Sequence, residues 1–227
     1  MSEATFERLA AEGRAAILAG TNQVETPPVD GGRRWGLSLV LRPDGEVAEA
    51  LDALTATARS IAGTGQWATA SLGSVHITVR GLEPHRVPIP DDDPAVDRYT
   101  SALDRATRNA VPARFDLGGL LVTPNSVMLR ATPCDDGPDR LSGALERELG
   151  DDGWYETDFH RDIWFLNLIH FAGPVERPAE LNAWVEEQSR SSIGECTITH
   201  ADLVRWEFGG TRMVPIVLAA MALTGIG

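Results

Sequence analysis

Ser74-Val75-His76-Ile77-Thr78-Val79-Arg80 is a run in which every second side chain is polar. Successive side chains of an extended strand point to opposite faces, so Ser74, His76, Thr78 and Arg80 share one face and Val75, Ile77 and Val79 share the other. A polar face set against an apolar one describes a strand lying on a core with its other side open. Taken alone, a His-x-Thr on such a face fits a solvated surface strand as readily as a site.

Upstream, Trp35 to Leu41 reads as a strand, Pro43 to Gly45 as a turn and Val47 to about Ile61 as a helix, so the His76 strand closes a βαβ unit. Downstream, a helix from about Ala95 to Asn109 precedes strands at Ala113 to Val122 and Ser126 to Ala131, with a hairpin turn at Pro124 and Asn125. Gly137 to Leu149 has helical spacing and ends in a polar turn at Gly150 to Gly153. A second histidine-bearing strand follows at Ile163 to Phe171, apolar on both faces as a central strand should be, with His170 near its end. A histidine there is either hydrogen-bonded in the core or opens into a cleft. A helix from Pro178 to Gln188, a strand region near Cys196 to Phe208 and a buried strand at Val214 to Leu223 complete the chain. Both halves thus run helix, histidine-bearing strand, helix, two strands, which implies two pseudo-symmetric lobes.

Ahead of this unit, Phe6, Leu9, Ala10, Ala16 and Ile17 mark a packing helix from Thr5 that stops near Gly20. Gln23 to Arg34, with Pro27, Pro28, Gly31 and Gly32, reads as a linker. The expected division is therefore a helix and linker over 1–34 and one bilobed domain over 35–227.

With 227 residues, 43% of them hydrophobic, the chain can bury a substantial core. A formal charge of −13 repels polyanions at long range and argues against duplex nucleic acid as a partner. It leaves room for a small anionic ligand, because a local cluster of donors overrides the distant field at contact range. Cys134 and Cys196 are too few for a disulfide framework and lack zinc-site spacing, which points to a reducing cytoplasm. Glu3, Glu7, Arg8, Glu12 and Arg14 interrupt the start of the chain, so no secretory leader is expected there. No apolar run approaches the ~20 residues of a membrane span.

Of the remaining candidates, His85 reads as an exposed loop residue, His200 as a strand surface residue, and His160 as structural or substrate-contacting. Asp91, Asp92 and Asp93 before Pro94 read as a helix start rather than a metal site. There is no His-Glu-x-x-His and no phosphate loop with its lysine, so neither a metal nor another cofactor is expected. Trp154, Trp164, Trp184 and Trp206 are assigned to the core, and Trp67 and Tyr155 are the candidates for stacking a base.

The pair of strands resembles the 2H phosphoesterases, a family named for two His-x-Thr/Ser-x motifs on paired central strands of two lobes. His76-Ile77-Thr78-Val79 matches the motif in full, and Trp35 to Leu41 followed by Arg42-Pro43-Asp44-Gly45 is similar to the family's opening strand and turn. The likeness covers the chain from about Trp35 onward. It implies an α+β fold of two lobes, each an antiparallel-rich sheet with helices outside, and a cleft with one histidine from each lobe.

In chemistry, it implies that His76 and His170 act as acid and base in opening a cyclic phosphodiester. Thr78 then donates to the phosphate, and the substrate is a small phosphorylated molecule, a nucleotide or an RNA end. Histidine suits both roles, since its unperturbed pKa of ~6.5 leaves both forms populated near neutrality. The second motif departs from the pattern: Ala172 stands where the family has a hydroxyl. Losing one such donor is worth ~10² to 10³ in rate, and Arg80, Tyr155 and Arg161 are the candidates to replace it. Two further readings stand beside catalysis: a pocket that binds phosphate without turnover, and a scaffold turned to other acid-base chemistry such as a step of secondary metabolism.

Overall fold

The computed structural model describes residues 3–157 and 161–225. The chain runs α1 (Glu3–Leu18), β1 (Ser38–Leu41), α2 (Gly45–Ala62), β2 (Trp67–Ala68), β3 (Ile77–Gly81), α3 (Pro94–Thr107), β4 (Ala113–Val122) and β5 (Ser126–Pro133). It continues through α4 (Gly137–Leu149), a 3₁₀ turn (Gly150–Glu156), β6 (Phe165–His170), α5 (Pro178–Gln188), β7 (Ser192–Ile198), β8 (His200–Phe208) and β9 (Met213–Ala222). The strands form a four-stranded sheet, β3-β1-β8-β9, and a five-stranded sheet, β2-β6-β5-β4-β7. Every ladder is antiparallel, giving the expected α+β fold of two antiparallel lobes.

Three readings of the strands are corrected. β1 and β3 are antiparallel neighbours, so the first unit is not a βαβ crossover, whose strands would be parallel. The short strand β2 intervenes: α2 hands the chain to the other sheet, where Trp67 pairs with His170, and the chain returns in the opposite direction. The region Cys196 to Phe208 is two strands that break at Thr199 and belong to different sheets, β7 on β4 and β8 on β1. The C-terminal strand β9 is an edge strand with alternating exposure rather than a buried one; Val217 is 42% exposed.

One apolar core runs through both lobes, with Leu39, Leu41 and Ile77 from the first sheet and Leu117, Leu129 and Leu168 from the second. Burial of such side chains contributes roughly 1.5–3 kcal/mol each, which is what fixes the register of the histidine strands. In β3, Ile77 and Val79 enter this core, so Thr78 must face away from it. β6 brings Leu166 and Leu168 into the same core and ends at His170, and the two strands approach one another where the sheets meet.

α1 lies on the second sheet through Phe6, which packs with Leu121, Met128 and Ile163. The chain after it is anchored at both ends. Gln23 N–H donates to Pro124 O and Glu25 N–H to Phe171 O at 2.7 and 2.6 Å. Farther along, Gly31 N–H donates to His85 O, and His85 N–H to Gly32 O, both at 2.7 Å. This segment is a strap that leaves the second lobe beside His170 and reaches the first beside His85. Its closure explains why His85 is 7% exposed and not the exposed loop residue expected.

Candidate active site

His76 stands just before β3, with Nδ1 2.8 Å from the carbonyl of Ser74. A carbonyl only accepts, so Nδ1 carries the hydrogen and Nε2 the lone pair. The ring lies 4.5 Å, centroid to centroid, from that of Trp206. Burial pushes its pKa down to about 4; the Ser74 carbonyl works against the drop and the charge of Arg42 adds to it.

His170 is 3% exposed. Its Nε2 lies 3.2 Å from Arg34 Nη2 and 3.4 Å from Asn167 Nδ2. A guanidinium only donates, so here also Nε2 holds the lone pair and Nδ1 the hydrogen. That Nδ1 meets no acceptor among the described residues. Burial pushes the pKa well below the ordinary value, and the charges of Arg34 and then His76 push it the same way. Both rings are thus neutral at pH 7, each with an accepting Nε2.

Trp35 touches both histidines. Its ring is edge-on to His76 at 6.4 Å and to His170 at 5.4 Å. Its φ of 63° lies in the left-handed region, which a bulky side chain rarely adopts. The surroundings impose it: Nε1 donates to Glu25 at 3.3 Å, the carbonyl accepts from His85 Nδ1 at 2.9 Å, and the ring packs on Trp67 and Trp206. At Gly36 a Cβ would fall 1.7 Å from the carbonyl oxygen of Glu83, so only glycine lets the strap come this close. Trp35 and Arg34 were missed by sequence reasoning, which took one as the first residue of a strand and the other as the last of a linker. The Trp-Gly step before β1 was the one available signal of a close approach.

The cleft between the histidines has a volume of about 280 Å³, and Thr78, Tyr155 and Arg161 line it together with Arg33 and Arg34. Arg80 does not line it. The ladder slips between Leu39 and Val40, so that Arg80 pairs with Leu39 while Thr78 pairs with Val40. Arg80 is 6% exposed and donates to the carbonyls of Gly153 and Glu156, fastening the 3₁₀ turn to β3. Tyr155, on that turn, donates its hydroxyl to the carbonyl of Arg33 and so ties the turn to the strap. Ala172 packs, with Trp35, on the cluster of Trp67, Trp206 and Met213, so the place of the missing hydroxyl is an apolar wall.

Trp67 is 3% exposed and belongs to that wall, which rules out the open stacking platform expected of it. Trp154, assigned to the core, is 56% exposed. Asp93 caps α3 by accepting from the backbone of Ala95 and Val96, as its position before Pro94 implied. His200 is on the surface, and His160 lies outside the described residues. Among the described residues no three His, Cys, Asp or Glu side chains cluster as metal ligands, and no helix is long and apolar enough to cross a membrane.

Solved structures share this architecture. TT0787 of Thermus thermophilus superposes with a TM-score of 0.60 at 21% identity, over 83% of this chain and 98% of that one. LigT of Escherichia coli, complexed with 3′-AMP, gives 0.58 at 16% identity over 84% and 98%. A structure described as a phosphoesterase gives 0.55 at 18% identity over the same shares. At these identities the likeness establishes the fold, a fold shared with LigT and a phosphoesterase. No protein-family model and no curated protein sequence matches the chain.

Proposed function

We propose that the protein is a 2H-type phosphoesterase that opens a cyclic phosphodiester, of the 2′,3′-cyclic nucleotide or RNA-end kind, with two histidines moving the protons. The observation that carries this reading is the pair of imidazoles, His76 and His170, lining one cleft, each with Nδ1 protonated and Nε2 as the nitrogen that can exchange a proton. A small phosphorylated ligand is supported by the cleft's size and by E. coli LigT, whose structures hold ATP, 3′-AMP, phosphate and NADP+.

The environments of the rings divide the roles. His170 lies beside the guanidinium of Arg34, whose charge disfavours an imidazolium, so we assign it as the base: when the ligand draws the Arg34 N–H away from Nε2, the freed lone pair takes a proton from water as the water oxygen attacks phosphorus. His76 has its Nδ1–H on a carbonyl, an arrangement that favours the imidazolium. The negative charge of the bound phosphodiester raises its pKa, so Nε2 takes up a proton from solvent as the ligand binds, and His76 Nε2–H then protonates the departing sugar oxygen. Thr78 donates to a phosphate oxygen. The products are a phosphate monoester and a free hydroxyl, with the proton left on His170 returning to solvent.

Phosphorus NMR of the protein with 2′,3′-cyclic nucleotides in chelator tests this. Ring opening by the parent, lost in His76→Ala and His170→Ala, is the expected result; unchanged turnover in either variant sinks the assignment. A second reading, a phosphate-binding module without turnover, is favoured by the apolar wall at Ala172. It predicts saturable binding of 3′-AMP with the cyclic ester intact.

A further inference from the structure

We propose that Arg34, delivered by the strap, is the phosphate-binding donor that stands in for the hydroxyl absent at Ala172. The inference rests on the phosphoesterase reading and adds to it a residue that lies outside both histidine motifs. It also places the start of the functional unit ahead of Trp35, within the segment that reads as a linker.

The placement of Arg34 carries the argument. Its Nη2 is 3.2 Å from His170 Nε2, the atom from which a base must act. The same Nη2 pairs at 2.8 Å with Glu25, whose side chain is 5% exposed. A guanidinium has five N–H donors, so Nη1 and Nε remain for the oxygens of a ligand. These hydrogens point to different sides of the fork, and each can bond one phosphate oxygen; a charged donor makes a stronger bond there than the neutral hydroxyl it replaces. Glu25 itself is held by its backbone bond to Phe171, the residue between His170 and Ala172. The strap thus positions its arginine from the same stretch of chain that lost the hydroxyl. Trp35, locked at positive φ and bonded to Glu25 and His85, prevents the guanidinium from swinging out with the backbone.

The electrostatics agree with this geometry. The chain carries a charge of −13, yet Arg33, Arg34 and Arg161 line the cleft against Glu83 and Glu156. Two of these arginines come from the strap. Without it, the cleft of an acidic protein would have little to hold an anion.

The test compares the full-length parent with Arg34→Gln, Arg34→Lys and Arg34→Gln/Ala172→Ser. Inorganic phosphate and 3′-AMP serve as binding probes, 2′,3′-cyclic nucleotide as substrate, and thermal melting as a check on folding. Glutamine leaves the buried Glu25 without its cation, so the variant should melt below the parent, and binding and turnover are compared well below its own melting temperature. Expected for Arg34→Gln are roughly 10-fold or more weaker binding of both probes and a kcat lower by ~10² or more, as for loss of one preorganised donor. Lysine should recover part of the binding, and the Ala172→Ser hydroxyl should recover part of the kcat. An Arg34→Gln protein that binds phosphate and turns over like the parent overturns the role of Arg34 and leaves the proposed function standing. A parent that neither binds phosphate nor opens the ring overturns both. If Arg34→Gln fails to fold, Glu25→Gln/Arg34→Gln, which removes the buried carboxylate's charge as well, is read in its place by the same outcomes.

Discussion

The two histidines sit in unequal surroundings. His76 precedes an edge strand, bonds to a carbonyl two residues before it, and has Thr78, which lines the same cleft, two residues after it. His170 ends an inner strand of the larger sheet and depends on groups remote in sequence: Arg34 at Nε2, Glu25 behind Arg34, and Trp67 paired across the ladder. The first half-site is local and repeats every second residue, whereas the second is assembled by tertiary structure. A motif that loses a residue need not lose the interaction, provided another segment passes close enough to supply it.

The largest effects should come from the histidines themselves. His76→Ala and His170→Ala are each expected to lower kcat by ~10² to 10⁴, the range for a positioned acid or base. The pH profiles should separate them. Removing the base eliminates the acidic limb of kcat, and removing the acid, which takes up its proton only with the ligand bound, eliminates the alkaline limb. The same limb lost in both variants would break the division of roles. Thr78→Val tests the local half-site at the next level, with ~10² to 10³ lost in kcat and a melting temperature close to the parent's. A Thr78→Val protein as active as the parent would make the strap the sole phosphate anchor.

How much of this was legible in the sequence follows the same divide. Ala113–Val122, Gly137–Leu149 and Pro178–Gln188 are read with their observed bounds, because local periodicity and flanking turn residues set them. Strand alternation puts His76 and Thr78 on one face, and both line the cleft. What escaped is non-local. The break at Thr199 moves the chain between sheets without a glycine or proline to announce it. The slip opposite Leu39 and Val40 removes Arg80 from the cleft, although simple alternation puts it there. His85 and Trp67 look exposed until the strap and β6 cover them. Arg34 lies in a segment rich in proline and glycine, which composition marks as a connection and not as a place to look for a binding residue.

A smaller effect is expected on stability, and it bears on both half-sites. A histidine whose pKa is lower folded than unfolded takes up its proton more readily when the chain unfolds. Its neutral state therefore favours folding above the unfolded value of ~6.5, and that advantage is lost as pH falls below it. For His76 the loss continues down to about pH 4, at up to about 1.4 kcal/mol per pH unit. His170, shifted in the same direction, adds a second such slope. Glu25, Glu156 and Asp202, whose carboxyls burial pushes up, tilt the curve the opposite way at acid pH. Urea midpoints at pH 7.5, 6 and 5 should therefore fall in the parent and fall less in His76→Asn and His170→Asn. Parallel curves for parent and variants would show that the rings are not held neutral.

The smallest effect expected is at Asn167, and it sharpens the comparison most narrowly. Its Nδ2 is the longer of the two contacts to His170 Nε2, at 3.4 Å against 3.2 Å, and its Oδ1 is buried with no partner among the described residues. An unpaired buried carbonyl is a cost, and a neutral hydrogen bond contributes about 1 kcal/mol at most, so the two nearly offset. Asn167→Ala should change stability by less than about 1 kcal/mol and kcat by less than about 5-fold. Arg34→Gln, on the same ring nitrogen, should cost far more. If the two variants behave alike, the donor at His170 acts only to fix the tautomer; if Asn167→Ala is nearly silent, the guanidinium contributes its charge and its remaining donors to the ligand.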